Sequence, residues 1–398
     1  MNPPNAIRHW WLSVATLGLI LTLYTPSVTR SFHDGTSWSV SDLHINYAAG
    51  FVRRGLLGEV AYWARDLLGI STGTLFPTLF LILTAIQAAL LAALASPLRA
   101  RPALFITVML APALILFAAY DYGGYLRKEA VITIGLFAHA ILVRQVLSAK
   151  MAPARYNVIL FAAISPYLAL STIIHENQVV FLPAHALLIY MAHGYPRPFA
   201  PLARHVIRAQ LPALLPTVAC FGAALLYQGD ASSAAVICAS WRDRAATACD
   251  AMRALGWRYD QVWYYVMQVV TTPVPMGIFI ATFALALIPP LIVWRVSPRE
   301  DHPSLSLLLA AMLPTVGLFF LGWDWGRWIH MISVALIALL LAGCRRLPEP
   351  EPSPRFARIG LMAAALIYVA TWRVNVCCLP TSLSGGLFQT AGTILATP

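Results

Sequence analysis

The sequence predicts an all-α, polytopic transmembrane helical bundle of about eleven spans, with an amphipathic interfacial helix in its first outer loop. Three observations predict it. Of 398 residues, 59% are hydrophobic and only 11% charged, with a mean hydropathy of +0.71. A soluble domain is roughly 25% charged, and a water-soluble fold of this size has too few ionisable groups here to cover its surface. The apolar residues also come in blocks of about 17–22, the length of a helix that crosses a hydrocarbon core. The basic residues, finally, fall in short loops that alternate with those blocks. These features exclude a Rossmann enzyme, a coiled coil, a disulfide-rich secreted domain and a repeat solenoid. They also turn the net charge of +11 into a topological signal. No nucleic-acid partner is expected.

In chain order the expected spans are Trp10–Val28, Leu75–Pro97, Ala103–Ala119, Ala130–Leu147, Val158–Ile174 and Val179–Ala192. Leu211–Tyr227, Pro275–Trp294, Ser304–Leu321, His330–Gly343 and Ile359–Thr371 complete the set. No small-residue cleavage site follows the first, so it is expected to be a retained span. An N-terminus inside and a C-terminus outside place Arg99, Arg101, Arg144, Arg295 and Arg345 on the cytoplasmic side. Of the acids, only Glu300, Asp301, Glu349 and Glu351 then fall inside. The expected setting is a bacterial inner membrane, with residues 1–398 forming one transmembrane domain. Inner loops such as 98–102 and 296–303 combine Arg with Pro and read as short connectors. Cys238 and Cys249 share one outer loop, where a disulfide is an open alternative to two free thiols.

The outer face carries the chemistry. The first outer loop, residues 29–72, contains His33, Asp34, Asp42, His44 and Tyr47, followed by GFVRRGLLGE. From Phe51 to Leu68 apolar residues recur at three- and four-residue steps, which predicts a helix lying in the interface. Arg53 and Arg54 open it, either to touch lipid headgroups or to hold a ligand anion. A second cluster, Asp121-Tyr-Gly-Gly-Tyr-Leu-Arg127-Lys128-Glu129, joins the third and fourth spans. Its glycines permit a close backbone approach, and Arg127 and Lys128 can grip a phosphate while Asp121 or Glu129 holds them. The third is His175-Glu176-Asn177-Gln178. It is either a satisfied helix end or a cavity lining, because four polar residues in a row are costly against lipid. The fourth, Gly322 to His330, brings Asp324, Arg327 and His330 together with three tryptophans. Asp324 and Arg327 are one helical turn apart and can simply pair, or can hold a sugar with the aromatic faces. Residues 229–272 form an outer loop able to cover such a site as a lid.

Four clusters of this kind on one face imply a single outward-opening cavity that binds a phosphorylated group and performs acid–base chemistry. The sequence has no P-loop, no nucleotide fingerprint, no HExxH and no CxxC, so neither a cofactor nor a metal is expected. The leaving group must arrive already attached to the substrate.

An acid-bearing outer loop directly after the first span, followed by an amphipathic interfacial helix, resembles the GT-C superfamily of integral membrane glycosyltransferases. The resemblance is one of layout and runs through about residue 130. It implies that an acid of the first outer loop, Asp42 or Asp34, acts as base or orients the acceptor. It also implies a polyprenyl-phosphate sugar donor entering from the membrane, its phosphate neutralised by Arg53, Arg54, Arg127 or Lys128. The acceptor is a glycan, lipid or protein. Beside this, Asp121, His175 and Glu176 are further candidates for acid–base roles. His44, Glu129, Asp324, Arg327 and His330 are candidates for substrate contact. The sequence departs from the metal-dependent members in lacking a DxD. Alternatives are an O-antigen-type polymerase or ligase, which would use the same face, and a transporter or flippase for lipid-linked or anionic substrates. A transporter is expected to carry ionisable groups near mid-span, whereas these acids lie at span ends.

Overall fold

The computed structural model describes residues 10–33, 38–120, 127–194, 208–241, 255, 259–301, 303–345, 347, 354–376 and 379–387. Among them the chain is helical, and its one β-bridge pairs Trp372 with Ser384. Six helices are long and apolar enough to cross a membrane: Thr72–Leu94, Glu129–Leu147, Pro153–Ile174, Arg208–Leu226, Pro273–Val296 and Trp325–Gly343. Shorter apolar helices cover Trp10–Pro26, Ala231–Ser240 and Leu305–Leu321.

We number the helices that position the site. α1 is Trp10–His33, α2 Trp38–Leu43, α3 Gly55–Leu68, α4 Thr72–Leu94 and α5 Glu129–Leu147. α6 spans Pro153–Ile174, α7 is Leu182–Gly194, α8 Ala231–Ser240, α9 Tyr259–Thr271, α10 Leu305–Leu321 and α11 Trp325–Gly343. α11 is the axis of the bundle. Its membrane-length window is 94% buried, against 28–50% for the other candidate spans. α5, α7 and α10 pack around it. α1 lies on α4 and α4 on α5, so both walls that follow the first outer loop lead to α5.

Two expected elements differ. The stretch 103–119 is not one span but a helix over Pro102–Met109, a run of turns, and a single helical turn at Phe117–Tyr120. Almost every residue of it is buried, and irregular backbone at such depth is tolerated only inside protein. α11 begins at Trp325 rather than at His330. The polar start of the helix hid its continuity with the apolar run, and Arg327 and His330 are therefore buried in its first two turns.

α3 has the expected amphipathic form. Val60, Trp63, Leu67 and Leu68 stand exposed on one side, while Gly55, Gly58 and Ala61 are buried on the other. A Cβ at Gly58 would lie 2.0 Å from the Ile45 carbonyl oxygen. Only glycine lets α3 seat so closely against the 43–47 segment. Glu59 adds a tie by accepting a hydrogen bond from the Tyr47 backbone N–H at 2.8 Å.

Candidate functional site

The first outer loop is assembled from inside. His44 is buried, its ring set edge-on against Phe76 and Trp241, with Nδ1 2.7 Å from the Val40 carbonyl. Trp241 in turn donates from its indole N–H to the His44 carbonyl at 2.7 Å. His44 thus belongs to the packing that anchors the loop. Trp241, the residue after α8, supplies this anchor. The rest of the expected lid between α8 and α9, Leu255 excepted, lies outside the described residues, as do Asp34 and Asp121.

Above that anchor, Asp42 at the end of α2 meets Arg54 and Lys128. Arg54 is the residue before α3 and adopts a left-handed conformation, φ 65°. This is a costly conformation for a non-glycine residue. What holds it is Lys128. That ammonium is fully buried and donates to the Asp42 carbonyl at 2.8 Å and to the Arg54 carbonyl at 3.0 Å. Its third contact is Asp42 Oδ2 at 3.2 Å. An ammonium has three donors, so Lys128 is fully occupied. It clamps the loop and has nothing left for the phosphate contact expected of it.

Arg54 reaches across to the third cluster. Its Nε donates to both carboxylate oxygens of Glu176 at 2.9 Å, its Nη2 also donates to Oε1, and its Nη1 lies 3.4 Å from Asp42 Oδ1. Arg53 Nη1 is 3.6 Å from the same Glu176 carboxylate. Glu176 starts a 3₁₀ turn, and extended backbone at His175 separates that turn from α6. This break projects His175 inward. Its Nδ1 accepts from the Asn177 backbone N–H and lies 3.6 Å from Glu176 Oε2. Its Nε2 is 3.4 Å from Glu129 Oε1.

Glu129, the first residue of α5, pairs with Arg327 of α11, whose Nη2 is also 3.0 Å from His175 Nε2. Arg327 pairs a second time with Asp324 and lies over the Trp328 ring, 5.2 Å from its centroid. The four expected clusters therefore meet. A continuous chain of charge runs Lys128–Asp42–Arg54–Glu176–His175–Glu129–Arg327–Asp324. Gly326 lets the start of α11 seat against residues 374–376, since a Cβ there would lie 1.7 Å from the Asn375 carbonyl oxygen.

Beyond Glu129 lies a cavity of about 30 Å³ lined by Arg127, Glu129, His330, Gln87, Thr84 and Tyr24, among others. That volume holds a water or two. His330 stacks on Phe117 at 4.4 Å, with Nδ1 2.9 Å from the Ala113 carbonyl. The broken segment after residue 109 thus serves to hold His330. Glu129 Oε2, buried and facing no hydrogen-bond partner in the protein, is the acceptor beside this cavity. A second buried polar group, which the sequence reading missed, lies ten residues further along α5. His139 sits 2.8 Å from both His185 Nδ1 and the Tyr156 hydroxyl.

The electrostatics follow from the pairing. Burial alone would raise the Asp42 carboxyl, but Lys128, Arg54 and His175 outweigh it and hold it below the ordinary carboxylate range. Burial is likewise overcome at Glu176, chiefly by Arg54 and His175, and its carboxyl is held well down. Burial pushes the Lys128 ammonium below its usual value, with Asp42 acting against it. The chain is graded in exposure. Arg53 and Arg54 side chains are 24% and 22% exposed, whereas His175 and Lys128 are at 2% and 0%. Of the cations, solvent therefore meets Arg53 and Arg54 first, while Asp324 at the far end of the chain is 21% exposed. No group of three or more His, Cys, Asp or Glu among the described residues is placed to hold a metal ion. The chain matches no family model, and neither the curated proteins nor the solved structures contain a match to it.

Proposed function

We propose that the protein is a membrane glycosyltransferase that moves a sugar from a polyprenyl-phosphate-linked donor to an acceptor at the outer, periplasmic face. The observation that carries this reading is the convergence of acids and bases from four separate loops at the mouth of the bundle, beside α3. The exposed Val60, Trp63, Leu67 and Leu68 of α3 support a site at the depth of a lipid headgroup. The topology proposed with it is about eleven spans, N-terminus cytoplasmic and C-terminus periplasmic. Cys238 is disulfide-bonded, its partner lying outside the described residues, which suits an oxidising compartment on that side.

In this mechanism Arg53 and Arg54 bind the donor phosphate and stabilise it as it leaves, through charge-assisted hydrogen bonds. Asp42, held ionised between two cations, orients the acceptor hydroxyl and draws off its proton. Arg327 and Asp324 line the sugar side with Trp328. A polymerase or ligase acting on a lipid-linked glycan would use the same groups.

The test is incubation of the purified protein with polyprenyl-phosphate and polyprenyl-diphosphate sugars, following release of the lipid phosphate. Release that depends on Asp42 and Arg54 is the expected result. No release from any donor, together with substrate-dependent flux in proteoliposomes, replaces this reading with a transporter.

A further inference from the structure

The cations that solvent reaches in this site are already holding an anion, and that anion is part of the protein. Glu176 offers both carboxylate oxygens to Arg54 Nε at 2.9 Å, a third bond runs from Arg54 Nη2, and Arg53 approaches the same carboxylate at 3.6 Å. The fork of a guanidinium fits a carboxylate and a phosphate equally well. Of the deeper cations, Lys128 and Arg327 are already paired with acids of the site. Lys128 uses its three donors on Asp42 and Arg54, and Arg327 is divided between Glu129 and Asp324. An incoming phosphate that is to pair with Arg53 and Arg54 as Glu176 does must exchange with that carboxylate.

We propose that Glu176 is a built-in stand-in for the ligand, occupying on Arg53 and Arg54 the place of a phosphate or diphosphate group, and that its displacement couples anion binding to proton uptake. The proposal rests on the reading of Arg53 and Arg54 as phosphate ligands, and it adds the regulation of that site. Once displaced, the Glu176 carboxylate keeps only His175, 3.6 Å away through Nδ1, in a place where an uncompensated charge is costly. The groups around it do not replace the lost guanidinium. Asp42 is of the same charge and stays on Lys128 and Arg54 Nη1, while Glu129 and Arg327 satisfy each other on the far side of His175. One proton, taken from solvent onto Glu176, restores neutrality.

The experiment is calorimetric titration of the full-length protein in detergent with inorganic diphosphate and, separately, with a short-chain prenyl phosphate. Each is run at pH 7 in two buffers of different ionisation enthalpy. Wild type is expected to bind with uptake of up to about one proton. Glu176→Gln is expected to bind of order tenfold tighter, since a charged competitor is gone, and to take up no proton. Glu176→Asp, with a shorter reach to Arg54, should fall between the two and decides the matter if the Gln variant does not fold. Equal gains for both probes assign recognition to the anion itself, and gains confined to prenyl phosphate assign it to a lipid headgroup. Unchanged or weaker binding in a folded Gln or Asp variant overturns the proposal, as does binding of neither probe by any variant, or proton uptake that persists in the Gln variant. Donor turnover without any gain in anion affinity refutes the proposal alone, whereas affinity gain without turnover refutes glycosyl transfer alone.

Discussion

Removing the Lys128 ammonium tests whether the site is held together as described. Lys128→Met keeps the stem of the side chain and deletes a charge that is fully buried and bonded to Asp42 and Arg54. Breaking a buried pair from one side leaves its partner uncompensated and typically costs ~3–5 kcal/mol. Here two backbone carbonyls lose their donor as well, so the upper half of that range applies. Unfolding entropy of about 2.1 cal/mol/K per residue converts the loss into a fall in thermal midpoint of roughly 5–6 °C for a chain of this length. The assay is thermal unfolding of the detergent-purified protein, with exposed Lys150→Met as the control, expected within about 1 °C of wild type. Asp42→Asn/Lys128→Met sharpens the test. Because each single change strands the other charge, the double variant should be more stable than the two losses added together, with a coupling of ~0.5–3 kcal/mol. Strictly additive losses, or a Lys128→Met protein that melts with wild type, would refute the clamp.

Asp42→Asn should cut lipid-phosphate release by about 10²–10⁴-fold while donor binding survives, because shape is kept and the proton acceptor is lost; steady-state kinetics with separate binding measurements decide it. Gly58→Ala should destabilise by roughly 1–3 kcal/mol as α3 is pushed off the Ile45 carbonyl, read as a lowered unfolding midpoint. Asp42 and Glu176 sit below their ordinary values of 3.8 and 4.5. A carboxylate of depressed pKa adds stability that is present above its unfolded pKa and lost as pH falls through the folded one. The midpoint should therefore stay flat in this respect down to about pH 5 and fall below pH 4, with the Asp42→Asn variant showing a shallower fall. Cysteines placed at Ser233 and Ser353 should label from opposite sides of the membrane, and labelling from one side would remove the topology proposed above.

How much of this was legible in the sequence depends on the range of the interaction. Helix-length apolar blocks are local, and α4 and α5 lie within a few residues of where hydropathy places them. The broken segment at 103–119 was not legible. Its composition is that of a span, and what breaks it is burial beneath α11 and His330, a contact made more than 200 residues away. The start of α11 was misread for the opposite reason. Trp323 to Arg327 look like an interfacial loop, yet Arg327 is accepted inside because Glu129 and Asp324 neutralise it.

The site shows the same division one level up. Residue type and sidedness were enough to name Asp42, Arg54, Lys128, Glu129, His175, Glu176, Asp324 and Arg327, since charge at a span end is costly unless it faces its own kind. Which charge answers which was beyond the sequence. Lys128 and Glu129, neighbours in the second cluster, do not serve as each other's partners. Lys128 turns to Asp42 and Glu129 turns to Arg327, although the two are adjacent in the chain. The reason is geometric. At the start of α5, successive side chains point about 100° apart, so one faces the first outer loop and the other faces α11. Lys128 and Glu129 thus form a junction joining two ion-pair systems. His175, reaching Glu176 on one nitrogen and Glu129 on the other, closes the circuit between them. It follows that a change at Arg327 should be felt at Glu176 through His175, across three helices and without any contact between the two.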